Sequence, residues 1–159
     1  MEDALNNIIK VYVAQTHSAV KISEIICEHS DRDVMTGHDI ICGLVYRLMV
    51  PMTEEEISEA MEKAEHILNG SDEESDTEDG TNEDVTNEDY EIVQEDTDGE
   101  ELKEGGGSRK IQSNHCNCDV CAKMRACLLN YHSFEPSDPM AMKFKNSIQD
   151  TCEKHNIHI

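Results

Sequence analysis

A run of 34 residues, from Ser71 to Glu104, has almost no large apolar side chains and divides the chain into two unlike parts. This run holds 17 acids and one base, a net charge of −16, whereas the whole chain of 159 residues carries −22. A segment with this much charge cannot bury enough apolar surface to offset the conformational entropy that its ordering would cost. The sequence therefore predicts a disordered acidic linker over residues 71–111, between a region at 1–70 and a region at 112–159.

Both flanking regions are short, at about 70 and 50 residues, and a chain of that size rarely builds a sufficient apolar core by itself. The chain has no Trp, two Phe and four Tyr, so it holds few of the large side chains that dominate cores. We therefore expect two separate small domains, each of which needs a partner, a metal ion or a disulfide to be stable.

The first region is predicted to be helical. From Ala4 to about His29, apolar residues recur at steps of three and four, which predicts one helix of about 26 residues. An isolated helix is barely stable in water, so its apolar stripe is expected to be a dimer face that packs on a partner. The stripe consists of Leu5, Ile8, Tyr12, Ala19, Ile22 and Ile26.

Two shorter helices are predicted after it. Thr36 is a suitable N-cap for a helix that runs to about Met49 and ends before Pro51, with Gly43 weakening it modestly. Thr53 and Glu56 have the spacing of a capping box for a third helix, which ends near Gly70. The predicted fold class is therefore mainly α.

The stretch EHSDRDVMTGHDIICGL resembles the second loop and third helix of core histones, and the resemblance covers about residues 3–49. It implies a truncated histone-like unit, in which Arg32 and Asp39 pair as a clasp and the long helix pairs with a histone-fold partner or with itself. An unrelated helical hairpin with the same stripe is the alternative. Residues 1–70 hold 13 acids and 5 bases, so direct wrapping of DNA by this region is not expected.

Cysteines dominate the second region, where the sequence HCNCDVC begins at His115. Zn²⁺ takes four tetrahedral sulfur or nitrogen ligands, and thiols a few residues apart can reach one ion from a tight turn. A zinc site is therefore predicted, with His115 or His132 as substitute ligands, and free thiols or redox chemistry are the alternatives. The predicted ligands are Cys116, Cys118, Cys121 and Cys127.

Other candidate ligands are interpreted as structural or solvated. A final helix is predicted to begin at Pro139, and its Cys152 is interpreted as a core residue, with His155 and His158 in solvent. The remaining histidines of the first region are interpreted as facing solvent. They are His17, His29, His38 and His66.

Residues 115–151 resemble a short module of uncharacterised proteins of nucleocytoplasmic large DNA viruses. The shared features are the CNCDVC motif, Met124, the aromatic Tyr131, the turn from Pro136 to Asp138 and the ending NSIQDT. This resemblance implies a viral origin and, with it, a location in the host nucleus, the cytoplasmic viral factory or the virion. It implies no particular mechanism.

No motif predicts an enzyme or a small-molecule substrate, since the chain lacks a phosphate-binding glycine loop, a nucleophile elbow and a His-Glu-x-x-His site. No apolar run is long enough to span a membrane and no basic signal segment opens the chain, so an intracellular protein is expected. A weak nucleic-acid contact is predicted for the second region. The basic residues that would form this contact lie in and just before that region, and they are Arg109, Lys110, Lys123, Arg125, Lys143 and Lys145.

Together these features predict a non-enzymatic viral interaction protein that pairs with a partner in a transcription or chromatin and genome-packaging assembly. One alternative is an acidic histone-binding chaperone or decoy that acts through residues 71–104. Another is a metal-dependent redox or zinc-storage protein.

Overall fold

The computed structural model describes residues 2–70 and 109–159, and the predicted acidic linker up to residue 108 lies outside them. The described residues are mainly helical, which confirms the predicted fold class, and none of their helices is both long enough and apolar enough to cross a membrane. Two short strands, β1 and β2, pair in parallel. The elements are α1 (Glu2–Glu28), α2 (Gly37–Met49), α3 (Glu54–Asn69), β1 (Arg109–Lys110), α4 (Asp119–Asn130), α5 (Pro139–Lys154) and β2 (Ile157–His158).

Local capping chemistry sets the ends of these helices. The Thr53 hydroxyl accepts the backbone N–H of Glu56, and the Glu56 carboxylate accepts the backbone N–H of Thr53, so the predicted capping box of α3 is confirmed. Gly70 ends α3 in the left-handed conformation, with φ of 62°, which glycine adopts without steric cost. Helix α4 is an addition to the predicted elements, because the sequence analysis places the cysteine motif in a tight turn and names no helix after it.

Helices α1 and α2 run antiparallel and touch at a glycine. Gly43 of α2 lies against Ala19 and Ser23 of α1, and a Cβ added to it would stand 2.2 Å from both the Ala19 carbonyl oxygen and the Ser23 Oγ. Further along, the Gln15 amide donates to the backbone oxygen of Arg47 at 2.8 Å. Gly43 therefore has a packing role that outweighs its cost in helix propensity, because only a residue without a side chain allows this approach.

Helix α3 covers a different side of α1. Ala14 of α1 packs with Ala60 and Ala64 of α3 in a small apolar cluster, where all three are buried. At the rim of this contact, ion pairs join Lys10 to Glu65 and Lys21 to Glu59. Both pairs are exposed to solvent, so they are expected to contribute little to stability, and the alanine contact holds α3 in place.

The two regions that flank the linker share one core, which corrects the expectation of two separate domains. They form one compact unit, and the largest cluster of buried side chains combines Ile26 of α1 and Val45 of α2 with Met124 of α4 and Ile148 of α5. Each region by itself has too few large apolar residues for a core, as its length implied. The two regions meet this need by packing on each other.

The stripe of α1 is covered over only part of its length. Ala19, Ile22 and Ile26 are at most 5% exposed in the core, whereas Leu5 and Ile8 are 58% and 44% exposed. The cause is a difference in length, because α1 has 27 residues and spans about 40 Å, while α2 has 13 and spans about 20 Å. The second half of the predicted dimer face therefore belongs to the chain's own core.

Arg32 and Asp39 form the ion pair that the sequence analysis predicted. Two guanidinium nitrogens of Arg32 bond the two carboxylate oxygens of Asp39, one of them at 2.7 Å, and Asp39 is only 3% exposed. The backbone N–H and the hydroxyl of Thr36 donate to the same carboxylate, both at 2.8 Å. The pair therefore fixes the loop between α1 and α2 to the first turn of α2.

Replacing this carboxylate by an amide, Asp39→Asn, is expected to lower the free energy of unfolding by about 2 kcal/mol at neutral pH. Burial acts to raise the pKa of Asp39, but the hydrogen bonds from Arg32 and Thr36 outweigh it, and the pKa lies below its ordinary value of 3.8. Stabilisation from a lowered pKa is present above that ordinary value and is lost as the pH falls through the native pKa. Urea unfolding should therefore show that the difference in free energy of unfolding between the unaltered protein and Asp39→Asn becomes smaller in acid. A difference that does not change with pH would contradict this account.

Candidate metal centre

Four side chains from distant parts of the sequence meet at the end of α1. His29 follows α1, Cys116 and Cys118 lie in the loop before α4, and Cys121 is in the first turn of α4. Their ligand atoms all lie within 4.8 Å of one another, and the Nδ1 of His29 is 3.1, 3.4 and 3.5 Å from the sulfurs of Cys118, Cys116 and Cys121. A tetrahedral zinc site places nitrogen and sulfur ligands about 3.6 Å apart, so these residues can hold a metal ion with little movement.

Three of the four predicted ligands are therefore brought together, and the fourth member of the group is His29. Cys127 is buried in the apolar core and lies six residues beyond Cys121 on α4, which is about 9 Å along the helix. The substitutes that the sequence analysis allowed, His115 and His132, are outside the group. The interpretation that His29 faces solvent agrees with its exposure in the structure, but its imidazole also meets cysteines that follow 87 or more residues later, which no local spacing indicates.

Each sulfur of the group accepts an N–H. The backbone N–H of Cys118 donates to the sulfur of Cys116 at 3.4 Å, and that of Cys121 donates to the sulfur of Cys118 at 3.4 Å. The Asn114 amide donates to the sulfur of Cys121 at 3.2 Å. Donors of this kind stabilise thiolates and orient them toward a metal ion. Free thiols in a turn would not require one donor for each sulfur.

The thiols differ in their ease of ionisation. The backbone N–H of Cys121, followed by contacts with Cys116 and His29, lowers the pKa of Cys118 to about 7. Burial raises the pKa of Cys121 to about 11. A coordinated metal ion deprotonates such a thiol outright, because its charge is the largest in the site.

Arg125 holds the ligand loop in shape. Its Nη1 donates to the backbone oxygens of Cys116 at 2.6 Å and Asn114 at 3.1 Å, and to the side chain of Asn114 at 3.3 Å. Three thiolates and one neutral imidazole around a divalent ion leave a net charge of −1, which the nearby guanidinium offsets. Arg125 therefore has a structural role beside the metal group, in addition to its predicted place in a nucleic-acid contact.

Other basic residues of the second region also have partners. Lys123 pairs with Asp119 at 2.8 Å, and Lys145 donates to the backbone oxygen of Phe134 while its Nζ lies 5.3 Å from the centre of the Tyr131 ring. Arg109 and Lys110 line an open groove of about 990 Å³ beside the metal group. Contact with nucleic acid stays a prediction.

The last predicted assignments concern the end of the chain. Cys152 is 5% exposed in the apolar core, as expected from its place on α5, and neither His155 nor His158 belongs to the metal group.

In comparisons with protein-family models, curated proteins and solved structures, nothing matches this chain.

Proposed function

We propose that this chain is a non-enzymatic interaction protein, in which a structural zinc site stabilises a helical unit that pairs with a partner protein. The observation that carries the proposal is the uncovered first half of the α1 stripe. Leu5 and Ile8 continue the line of Ala19, Ile22 and Ile26, yet they are exposed where the latter are buried.

Zinc is the metal ion that the donor set favours. Three thiolates and one imidazole are soft and borderline ligands, which suit zinc better than magnesium or calcium. Four protein ligands also complete a tetrahedral shell and leave no position for a reactive water, which is typical of structural zinc sites. Such a site supports a role in assembly, because it contributes stability and no substrate position.

Exposed apolar side chains extend the uncovered stripe on both sides. Ile9 and Val11 of α1 are 40% and 43% exposed, and Ile67 and Leu68 at the end of α3 are 56% and 46% exposed. Ile9 and Leu68 line the same surface depression, so the two helices contribute to one patch. Contiguous apolar surface of this kind marks a site of interaction on soluble proteins.

The setting of this pairing follows from the two resemblances. The long α1 and the Arg32–Asp39 ion pair are features that a histone-like unit would have, and they support pairing through α1 with a histone-fold protein. A viral transcription or genome-packaging assembly is the proposed context. The net charge of −16 in residues 71–104 favours a second candidate, an acidic histone chaperone that acts through this segment.

The substitution Ile8→Glu is expected to abolish binding of the partner protein, because a carboxylate would be buried in the middle of the contact. The substitution Leu129→Glu on α4 should leave this binding unchanged. Leu129 is 85% exposed and lines none of the depressions beside the α1 stripe, so it is a matched control. The measurement is quantitative mass spectrometry of the proteins that co-purify with each tagged variant. We expect at least about a tenfold loss for the first variant, which corresponds to about 1.4 kcal/mol.

Equal recovery with both variants would contradict pairing through α1. A chain without residues 72–106 distinguishes the second candidate, since a chaperone would lose its histones on this deletion while a pairing subunit would keep its partner. An acidic substitution farther along the stripe, such as Ile22→Asp, would not test pairing, because Ile22 lies in the core and its replacement is expected to unfold the protein.

A further inference from the structure

A notch beside the uncovered stripe is large enough for one aromatic ring. Val11 and Tyr12 of α1, Leu48 at the end of α2, and Met140 and Phe144 of α5 line a cavity of about 180 Å³ that opens to solvent. An apolar protein cavity of about 150 Å³ accommodates benzene. The notch is therefore the right size and polarity for a phenylalanine or tyrosine side chain.

We propose that this notch holds an aromatic anchor from an amphipathic helix of a different protein, one whose flanks are basic. This inference rests on the proposed function and names the partner's chemistry. The anchor enters the notch, and two further apolar residues of the same helix cover Leu5 and Ile8.

The spacing along α1 fits such a helix. Leu5, Ile8 and Tyr12 lie three and four residues apart, and the seven residues from the first to the last span about 10 Å. A helix that packs along this line presents its own apolar residues at i, i+3 or i+4, and i+7. The last of these reaches the notch when the first lies over Leu5.

A second copy of this chain does not offer the anchor. Among the described residues no aromatic side chain is fully exposed, since Tyr46 and Tyr131 are buried and Phe134 is half-buried. Tyr12 and Phe144 are half-buried as well, and they already form the wall of the notch. Two copies would also bring together chains that each carry a net charge of −22.

The charges around the stripe favour a basic partner. Glu2 and Asp3 begin α1, and Asp138 borders the notch at the other end. Lys10, the base on α1 nearest to this half of the stripe, is already paired with Glu65. Lysine or arginine on the flanks of the partner helix would meet these acids, which increases the association rate and the selectivity of binding.

A labelled synthetic peptide tests this directly on the full-length, zinc-loaded chain. The peptide is an amphipathic helix with Leu, Leu and Phe at i, i+3 and i+7 and Lys or Arg on both flanks, and fluorescence anisotropy measures its affinity. Two matched peptides carry Ala in place of Phe, or Glu in place of the flanking bases. We expect each change to weaken binding at least about tenfold, and added salt to weaken only the peptides with basic flanks.

The variant Ala141→Met fills the notch from α5 without introducing a charge, and Leu129→Glu, at a largely exposed position, serves again as control. In this variant the affinity for the Phe peptide should fall at least about tenfold, and the affinity for the Ala peptide should stay unchanged. If both peptides bind Ala141→Met with the same affinity as they bind the unaltered chain, the proposal that an aromatic anchor occupies the notch is wrong. If the natural partner depends on Ile8 and not on Ala141, the proposed function holds and this inference fails.

Two other occupants of the notch are separate outcomes that overturn the proposal. Concentration-dependent dimers in sedimentation velocity, lost on Ala141→Met, would show that a second copy fills it. Nuclear magnetic resonance shifts at Val11 and Met140 on Tyr90→Ala, measured without peptide, would show that the chain's own residues fill it.

Discussion

Removal of zinc from the zinc-loaded protein by a chelator is expected to lower its melting temperature by more than about 10 °C. A ligand present at about a thousand times its dissociation constant adds about 4 kcal/mol of stability, and for a folded unit of this size each kcal/mol shifts the melting temperature by a few degrees. The effect should be global, because His29 and the three cysteines join α1 to α4 across the shared core. Calorimetry of the zinc-loaded protein before and after chelation measures it.

Single substitutions assign this effect to the proposed ligands. His29→Ala should lower both zinc content and melting temperature, while His29→Cys should retain zinc, since four thiolates also form a structural site. His38→Ala is the matched control, because His38 lines the neighbouring groove and is outside the metal group. Cys127→Ser should keep one zinc ion per chain although it costs packing energy. Normal zinc content in His29→Ala would contradict the assignment.

The second large effect is expected from the smallest change in the core, Gly43→Ala. The new Cβ would stand 2.2 Å from the backbone oxygen of Ala19, so α1 and α2 must move apart. Overpacking of a core costs about 1–3 kcal/mol, and more where backbone must shift, so we expect a loss of about 3 kcal/mol or more. Urea unfolding followed by circular dichroism measures this loss.

Gly37→Ala is the control for this experiment, because nothing lies within 4 Å of a Cβ added at that position, at the start of α2. Its free energy of unfolding should stay within about 1 kcal/mol of the unaltered protein, which is the scale of the difference in helix propensity. If Gly43→Ala is as stable as Gly37→Ala, the close contact between α1 and α2 is not present in solution.

Four of the helices of the described residues, α1, α2, α3 and α5, could be predicted because their signals are local. The spacing of apolar residues in α1 and the pairing of Thr53 with Glu56 act within a few residues, and the structure contains both features. The Arg32–Asp39 pair joins the loop after α1 to the first turn of α2, and it was expected from the resemblance to core histones. Gly43 shows the limit of this reasoning, because a local scale records only its cost and the structure shows its contact with Ala19.

The place of His29 in the candidate metal centre and the shared core could not be predicted, because both depend on contacts between residues far apart in sequence. Three cysteines lie close together and were identified, but the choice between Cys127 and His29 depends on where α1 ends relative to α4. In the same way, the stripe of α1 indicated that a second surface must cover it. It did not indicate that α2 and the second region would cover Ile22 and Ile26 and leave Leu5 exposed.

The metal site is the centre of this account, and X-ray absorption spectroscopy of the purified zinc protein tests it most directly. We predict one zinc ion per chain with three sulfur ligands at about 2.3 Å and one nitrogen ligand at about 2.0–2.1 Å, and loss of the nitrogen in His29→Ala. A shell of four sulfurs that loses one in Cys127→Ser, or a chain that binds no zinc, would contradict it.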